Sequence, residues 1–148
     1  MSEVNVYNEM RKKAMDLLAR REHSAQELRQ KLSAREFEND AIDEVIQGLR
    51  DDGLQSDERF AESYINSRFN AGIGPLKIRF ELRQRGIADG LVDRYLDSYS
   101  ERWDRSMRQQ RARKYGDAIP DDYAERMKQA RFLQNRGFSP ESVMRLFR

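Results

Sequence analysis

The residues that could carry acid–base or metal chemistry are few in this chain and lie far apart in sequence. The one histidine, His23, directly precedes Ser24 at a predicted helix start, and there is no cysteine. The carboxylate pairs Asp51-Asp52 and Asp121-Asp122 fall in predicted turns, where such groups are commonly solvated or cap a helix. With one imidazole and no thiolate, the chain has few of the ligands that a transition-metal site needs. We interpret His23 as a surface residue or one that packs at the helix cap.

The glycine-dense stretch at residues 72–75 lacks the composition of a phosphate-binding loop. It reads Gly-Ile-Gly-Pro, without the lysine and hydroxyl residue that contact phosphates, and no predicted strand precedes it. No set of nucleophile, base and orienting residue is visible elsewhere. The sequence therefore predicts a binding protein rather than an enzyme, with no cofactor and no bound metal.

Charge is distributed unevenly along the chain. Residues 1–100 hold 16 Lys and Arg against 19 Asp and Glu, whereas residues 101–148 hold 12 against 7. The basic character thus lies at the C-terminal end. Such a skew can mark a surface for nucleic acid or an acidic partner, although a solvated helix face rich in arginine is the commoner explanation.

Composition indicates a folded, nearly all-helical protein. Of the 148 residues, 38% are hydrophobic and 36% are charged, well above the roughly 25% charged residues of an average domain. The apolar residues keep helical spacing through most of the length. The absence of cysteine and of any signal-like or membrane-spanning apolar run predicts a soluble, cytoplasmic protein without a membrane partner, which we expect to be a monomer.

One apolar pattern occurs three times and defines the elements of the fold. A leucine is followed at five-residue steps by two further apolar residues, and the pattern recurs after 50 and then 51 residues. Such a period is typical of a repeated helical unit too small to bury its apolar face alone. The three occurrences are Leu32, Phe37 and Ile42, then Leu82, Ile87 and Val92, then Leu133, Phe138 and Val143.

The pattern predicts three tandem three-helix repeats. Their boundaries are 1–54, which includes an N-terminal extension, then 55–100 and 101–148. The second helix of the first repeat begins with a capping box formed by Ser24 and Glu27. In the second repeat Gly74-Pro75 takes that place, because proline at the first helical position loses no hydrogen bond.

Glycine is predicted to end the second helix of two repeats. Gly86 and Gly137 fit a left-handed stop, with Ile87 and Phe138 folding back on the preceding leucines. The first repeat has Glu36 at this position. We expect either a positive φ at Glu36 or another helix ending, and in the first case Glu36→Gly would stabilise the fold by roughly 0.5 to 1 kcal/mol.

Several ordered motifs resemble those of the RecX family. The central one consists of residues 57–64, DERFAESY, followed by residues 74–87, GPLKIRFELRQRGI. Residues 17–24, LLARREHS, with Glu27-Leu28 are similar to the family's opening, and residues 132–139, FLQNRGFS, to its closing repeat. The resemblance extends over roughly residues 14–147, and the succession of motifs makes it far more specific than any one alone.

The resemblance implies a regulator of RecA, the recombinase that forms a helical filament on single-stranded DNA. Family members are three tandem three-helix units in an elongated, curved array that binds along the filament groove. They inhibit ATP hydrolysis and strand exchange by RecA and favour filament disassembly. We hypothesise that basic residues of the second and third repeats contribute to the partner-binding face, although each could instead be a solvated helix position. These residues are Lys77, Arg79, Arg83, Arg85, Arg131 and Arg136.

Direct binding to single- or double-stranded DNA is the alternative function. Basic residues near Trp103 and Tyr115 could contact phosphates, with occasional base stacking. No helix presents an obvious edge for reading base sequence. The candidate DNA-binding residues are Arg102, Arg105, Arg108, Arg111, Arg113 and Lys114. A third interpretation, a structural scaffold, predicts neither activity.

Overall fold

A computed structural model describes residues 2–35 and 37–148, and over those residues the chain is helical with no strand. This confirms the predicted all-α class. Its helices are α1 Glu3–Arg20, α2 Ala25–Ser33, α3 Asn39–Asp51, α4 Asp57–Asn70, α5 Pro75–Gln84, α6 Asp89–Asp97, α7 Ser100–Tyr115, α8 Tyr123–Asn135 and α9 Pro140–Leu146. No helix in these ranges has the length and apolar character that crossing a membrane requires.

The helices group into two compact units. The first contains residues 1–63 together with 84–88, and the second contains residues 64–83 together with 89–148. The boundaries of the three repeats at 54 and 100 stay a prediction. Glu36 lies outside the described residues, so the expectation for its backbone also stays a prediction.

The core of the first unit is built by α1, α2 and α3. Apolar side chains at helical spacing meet between the three helices. On α3 they recur at i, i+3, i+4 and i+7, as the sequence predicts. The buried set is Met10, Ala14, Leu17, Leu28, Leu32, Ile42, Val45, Ile46 and Leu49.

The predicted capping box at the start of α2 is present. The Glu27 backbone N–H donates to Ser24 Oγ at 3.0 Å, and the Ser24 N–H donates to Glu27 Oε1 at 3.1 Å. Burial acts to raise the pKa of Glu27, but hydrogen bonds from Arg21 and the Ser24 backbone outweigh it, so the pKa lies below its ordinary value. Two otherwise unpaired N–H groups of the helix start are thereby satisfied.

His23 lies next to this cap and is buried, with 1% of its surface exposed. Its Nε2 lies 3.2 Å from Lys31 Nζ, and its Nδ1 lies 3.0 Å from the carbonyl oxygen of Arg21. Because an ammonium can only donate, Nε2 accepts and Nδ1–H donates to the carbonyl, which assigns a neutral imidazole. Of the two interpretations of His23 from sequence, the structure supports the cap-packing one.

The second unit centres on α7, α8 and α9. Trp103 and Phe132 pack at the edge of its core. Near the end of α8 the Phe138 N–H donates to the Leu133 carbonyl at 3.2 Å, and Gly137 has a φ of 102°. This is the predicted left-handed stop. The buried core consists of Met107, Ala130, Leu133, Phe138, Val143, Leu146 and Phe147.

The turn after α8 makes direct backbone contact with the start of α5. The Gly74 N–H donates to the Arg136 carbonyl at 2.7 Å, and the Leu76 N–H donates to the Gly137 carbonyl at 3.0 Å. A Cβ on Gly137 would overlap Lys77 Cβ and lie 2.8 Å from the Lys77 backbone nitrogen. Gly137 is therefore required both for its positive φ and for this close approach.

The burial of neutral His23 predicts a pH-dependent stability. Burial lowers its pKa below the ordinary value of 6.5, because the charged form loses solvation. The unfolded chain takes up this proton at a higher pH than the folded protein does. The free energy of unfolding should consequently decrease as pH falls through 6.5 and level off below the folded-state pKa. Urea melts at pH 7.5 and 5.5 measure this difference.

His23→Gln is the control for this pH effect. The chain has one histidine, so few other side chains titrate in this window. The variant should lose most of the difference between the two pH values, whatever its own stability. An unchanged difference would show that another group is responsible.

The contact at Gly137 predicts opposite effects for two glycine substitutions. Gly137→Ala should destabilise the protein by at least about 2 kcal/mol, because it combines an unfavourable φ with overlap at Lys77. Gly90→Ala, within α6 and with no atom within 4 Å of the new Cβ, should stabilise it by a few tenths to about 1 kcal/mol. Thermal and urea melts of both variants test this, and equal effects would contradict the contact.

Candidate partner-binding surface

The basic residues predicted to bind a partner lie on α5, on the turn that follows it, and on α8 with its own following turn. On α5, Arg79 Nη2 donates to Asp93 Oδ2 at 3.2 Å. Arg83 forms a two-pronged pair with Asp89, with Nε and Nη2 at 3.2 and 3.0 Å from the two carboxylate oxygens. The hydrogen bond from Arg83 is the largest influence on the pKa of Asp89 and lowers it below its ordinary value. These two arginines are already matched by carboxylates of their own chain.

The other four predicted residues differ in their surroundings. Arg85 Nε lies 3.9 Å from Glu27 Oε2, within the first unit. The guanidinium of Arg136 lies 5.1 Å from the centre of the Phe132 ring, and its Nη1 is 3.5 Å from the Ala71 carbonyl. Lys77 and Arg131 are exposed and form no ion pair within residues 2–35 and 37–148. These last two are the cations of the set that are free to meet an external carboxylate.

The predicted DNA-binding residues all lie on α7, and one of them is buried. Arg111 is 3% exposed. Its Nη2 donates to the Asp117 carbonyl at 3.0 Å, and its Nη1 donates to the Ala118 carbonyl and to Gln129 Oε1 at 3.3 and 3.2 Å. Arg111 therefore holds the loop between α7 and α8 from inside the fold, and its guanidinium does not face solvent.

The remaining basic residues of α7 reach the surface. Arg102 lies over the Tyr99 ring at 5.0 Å, Arg108 pairs with Asp104 at 2.8 Å, and Lys114 lies 4.2 Å from the Phe132 ring centre. Arg105 and Arg113 are exposed, and no ion pair forms at either within the described part of the chain. These two are the exposed cations of α7 that have neither a carboxylate nor an aromatic ring beside them in the described part of the chain.

A groove opens between α5, α6, α7 and α9 of the second unit. It has a volume of about 620 Å³ and is lined by Leu76, Trp103, Arg79, Arg108 and Arg145 among others. The Trp103 indole N–H donates to the Leu96 carbonyl at 3.1 Å. Its ring contacts those of Phe69 and Tyr99, at centroid distances of 5.4 and 5.6 Å. Trp103 is therefore held firmly in the wall of the groove.

Two exposed apolar residues on α5 were missed by reasoning from the sequence. Leu76 is 50% exposed and Phe80 is 59% exposed, whereas Ile78 and Leu82 are fully buried. A signal for this was available. Alternating residues on a helix point in nearly opposite directions, so four apolar residues at 76, 78, 80 and 82 cannot share one face. Because Leu82 belongs to the repeated apolar pattern, Leu76 and Phe80 had to face the opposite side of the helix.

The described residues contain no group of three or more histidine, cysteine, aspartate or glutamate side chains placed to hold a metal ion. The surface instead combines charged, apolar and aromatic side chains. Such groups can bind a protein surface, or phosphates, through ion pairs and apolar contacts.

Comparison with known proteins finds similarity to one family over nearly the whole chain. Residues 11–49 match the first three-helix domain of RecX, residues 56–96 the second, and residues 91–147 the third. The Regulatory protein RecX of Halorhodospira halophila is 42% identical over 144 residues, which cover 97% of this chain and 89% of that protein. That of Ectopseudomonas mendocina is 43% identical over 139 residues, covering 94% and 93%.

A solved structure shows the same fold. The crystal structure of RecX from Lactobacillus salivarius superposes with a TM-score of 0.81 at 25% identity, covering 95% of this chain and 93% of that one. Sequence and structure therefore agree on the same relatives over nearly the full length.

Proposed function

Since the chain belongs to the RecX family, we propose that it is a negative regulator of the RecA recombinase. It binds the groove of the RecA–DNA filament and inhibits ATP hydrolysis, strand exchange and filament growth. Its site of action is the cytoplasm, where the filament forms.

The observation that carries this proposal is the complete and ordered match to three RecX domains. All three are present in the order first, second, third between residues 11 and 147, and the two relatives named above are regulatory proteins. Repeated helical units suit a partner that is itself repetitive, because successive units can contact successive subunits. A regulator of this kind needs binding surfaces rather than catalytic groups.

The basic residues of α5, α8 and their following turns contribute to the filament contact in this proposal. Lys77 and Arg131, which form no ion pair within the described ranges, can attract carboxylates on RecA directly. Arg79, Arg83, Arg85 and Arg136 already have partners within the chain, so their contribution requires an exchange of partners. Charges at the rim of an interface mainly affect the association rate and its salt dependence.

Hydrolysis of ATP by RecA on single-stranded DNA tests this function. The protein should inhibit hydrolysis at concentrations comparable to that of RecA. The double variant Lys77→Glu, Arg131→Glu should require about two- to thirtyfold more protein for half inhibition, because each of the two exposed ion pairs contributes about 0.2 to 1 kcal/mol. The difference should shrink as salt is added, because exposed charges are screened.

Lys12→Glu, Lys13→Glu is the matched control, since both lysines are exposed on α1. Circular dichroism establishes that all variants keep their helices. Absence of inhibition by the native protein at stoichiometric excess would overturn the proposed function. Equal inhibition by the two double variants would remove Lys77 and Arg131 from the contact.

Direct DNA binding is a second candidate function, favoured by the free cations of α7. Arg105 and Arg113 are exposed without ion pairs in the described part of the chain, and Arg102 lies beside the Tyr99 ring. Unpaired guanidinium groups are suited to the phosphates of single strands, and aromatic rings on the same helix are suited to stacked bases. Arg111 takes no part in this candidate surface, because it is enclosed by carbonyl groups.

Salt titration without RecA tests this second candidate. If α7 binds single-stranded DNA, the double variant Arg105→Gln, Arg113→Gln should reduce the slope of log affinity against log salt by about 1.4, or about 0.7 for each phosphate that is no longer neutralised. Lys12→Gln, Lys13→Gln should leave the slope unchanged. Inhibition of RecA at salt concentrations where free DNA binding is negligible would assign the activity to the filament instead.

A further inference from the structure

The exposed face of α5 carries an apolar ridge, which we define as Leu76 and Phe80. The two residues are one helical turn apart, so their side chains are neighbours on the helix surface. Half or more of each residue is in contact with solvent. Among the exposed large apolar residues of the described chain, they are the pair related by one turn of a single helix. Contiguous exposed apolar surface rimmed by polar groups is the kind that marks interaction sites, so the surroundings of this pair decide its meaning.

The ridge continues into the groove of the same unit. Leu76 belongs to both, and the groove wall beyond it includes Trp103. An apolar surface therefore runs from Phe80 across Leu76 to an aromatic ring fixed by Phe69 and Tyr99. An aromatic side chain in the groove wall, reached from the ridge through Leu76, gives this surface the composition of an interface hot spot, where aromatic and apolar anchors are enclosed by a polar rim.

The charges around the groove argue against nucleic acid as its occupant. Arg79 is paired with Asp93 and Arg108 with Asp104. The remaining charged groups of the lining are Arg145 and Asp97, so positive and negative groups are equal in number. A polyanion gains little from such a surface, because its affinity depends on unmatched cations. A protein surface with apolar side chains is the complementary partner.

Arg145 and Asp97 further define that partner. Arg145 contacts Ser142 Oγ at 3.4 Å, and neither Arg145 nor Asp97 has an oppositely charged partner in residues 2–35 and 37–148. Both are exposed. A bound segment that offers a carboxylate and a cation on either side of an apolar residue would satisfy both charges and cover the ridge.

We infer that the α5 ridge and its groove are the docking surface for a RecA subunit, which inserts an apolar side chain beside Leu76 and Trp103. This inference rests on the proposed function for the identity of the partner. Apolar contacts supply the affinity, and the free cations Lys77 and Arg131 steer the encounter.

Sedimentation with RecA filaments on single-stranded DNA measures docking separately from inhibition. The double variant Leu76→Ser, Phe80→Ser should bind the filament at least about tenfold more weakly, as expected when two interface anchors are removed. Tyr123→Ser is the matched control, because Tyr123 is an aromatic residue of the same unit that is 74% exposed. The control should bind like the native protein. All three substituted residues lie at the surface, and urea melts verify that the double variant and the control variant are folded.

A label at the ridge reports contact directly. The chain has no cysteine, so Phe80→Cys provides a single thiol for an environment-sensitive fluorophore. Its emission should shift to shorter wavelength when filament is added, because the partner replaces water around the label. The same label at Tyr123→Cys should not respond. A response at residue 123 alone would overturn the inference.

The outcomes distinguish the docking surface from the proposed function. If the native protein binds and inhibits but the ridge variant does so equally well, the docking surface is wrong and the function stands. If the native protein binds without inhibiting and the ridge variant loses binding, the inhibitory function fails while the docking surface is supported. If the native protein does not bind the filament, both fail. A native dimer in sedimentation equilibrium that the ridge variant converts to monomer would assign the surface to a second copy and overturn the RecA assignment.

Discussion

The second compact unit depends on the backbone contact between the start of α5 and the turn after α8. Helices begin with N–H groups that have no partner within the helix, and α5 begins after a glycine that offers no capping side chain. The carbonyl groups of Arg136 and Gly137 accept from Gly74 and Leu76 instead. This contact fixes the position of α5 and so determines that Ile78 and Leu82 are buried while Leu76 and Phe80 are exposed.

In the first unit, side chains rather than backbone groups make the contacts at a helix start. There α2 begins with a capping box, and the Gln26 side-chain amide donates to the Gln84 carbonyl at 2.7 Å, next to Gly86. Both arrangements join the start of one helix to the end of another. The first is a contact of a side chain with a carbonyl group and the second a contact between two backbones, and each lies beside a glycine of positive φ, Gly86 or Gly137. Similar repeats can therefore constrain their sequences in different ways.

Local features of the fold were predictable from sequence, and long-range pairings were not. Apolar spacing, the Ser24 cap and the stop at Gly137 depend on residues within about one helical turn, so they are readable from the chain. The pairing of Arg79 with Asp93 and the burial of Arg111 depend on which segments meet in space. An arginine on a polar helix gives no local indication that carbonyl groups of a later loop will enclose it. The exposed pair on α5 was within reach of the sequence, because the repeated pattern places Leu82 in the core and helical spacing then puts Leu76 and Phe80 on the opposite side.

The ion pairs between the arginines of α5 and the aspartates of α6 also affect how the protein distinguishes a protein partner from DNA when both are present. RecA, the partner proposed for this chain, works on DNA, so its regulator meets a large excess of phosphate groups. Arginines already held by Asp93 and Asp89 offer little net attraction to such a polyanion. A face built in this way avoids being occupied by bulk nucleic acid and stays open for a protein surface. Under the proposed function, the carboxylates beside these arginines protect selectivity, a role quite separate from their small contribution to folding.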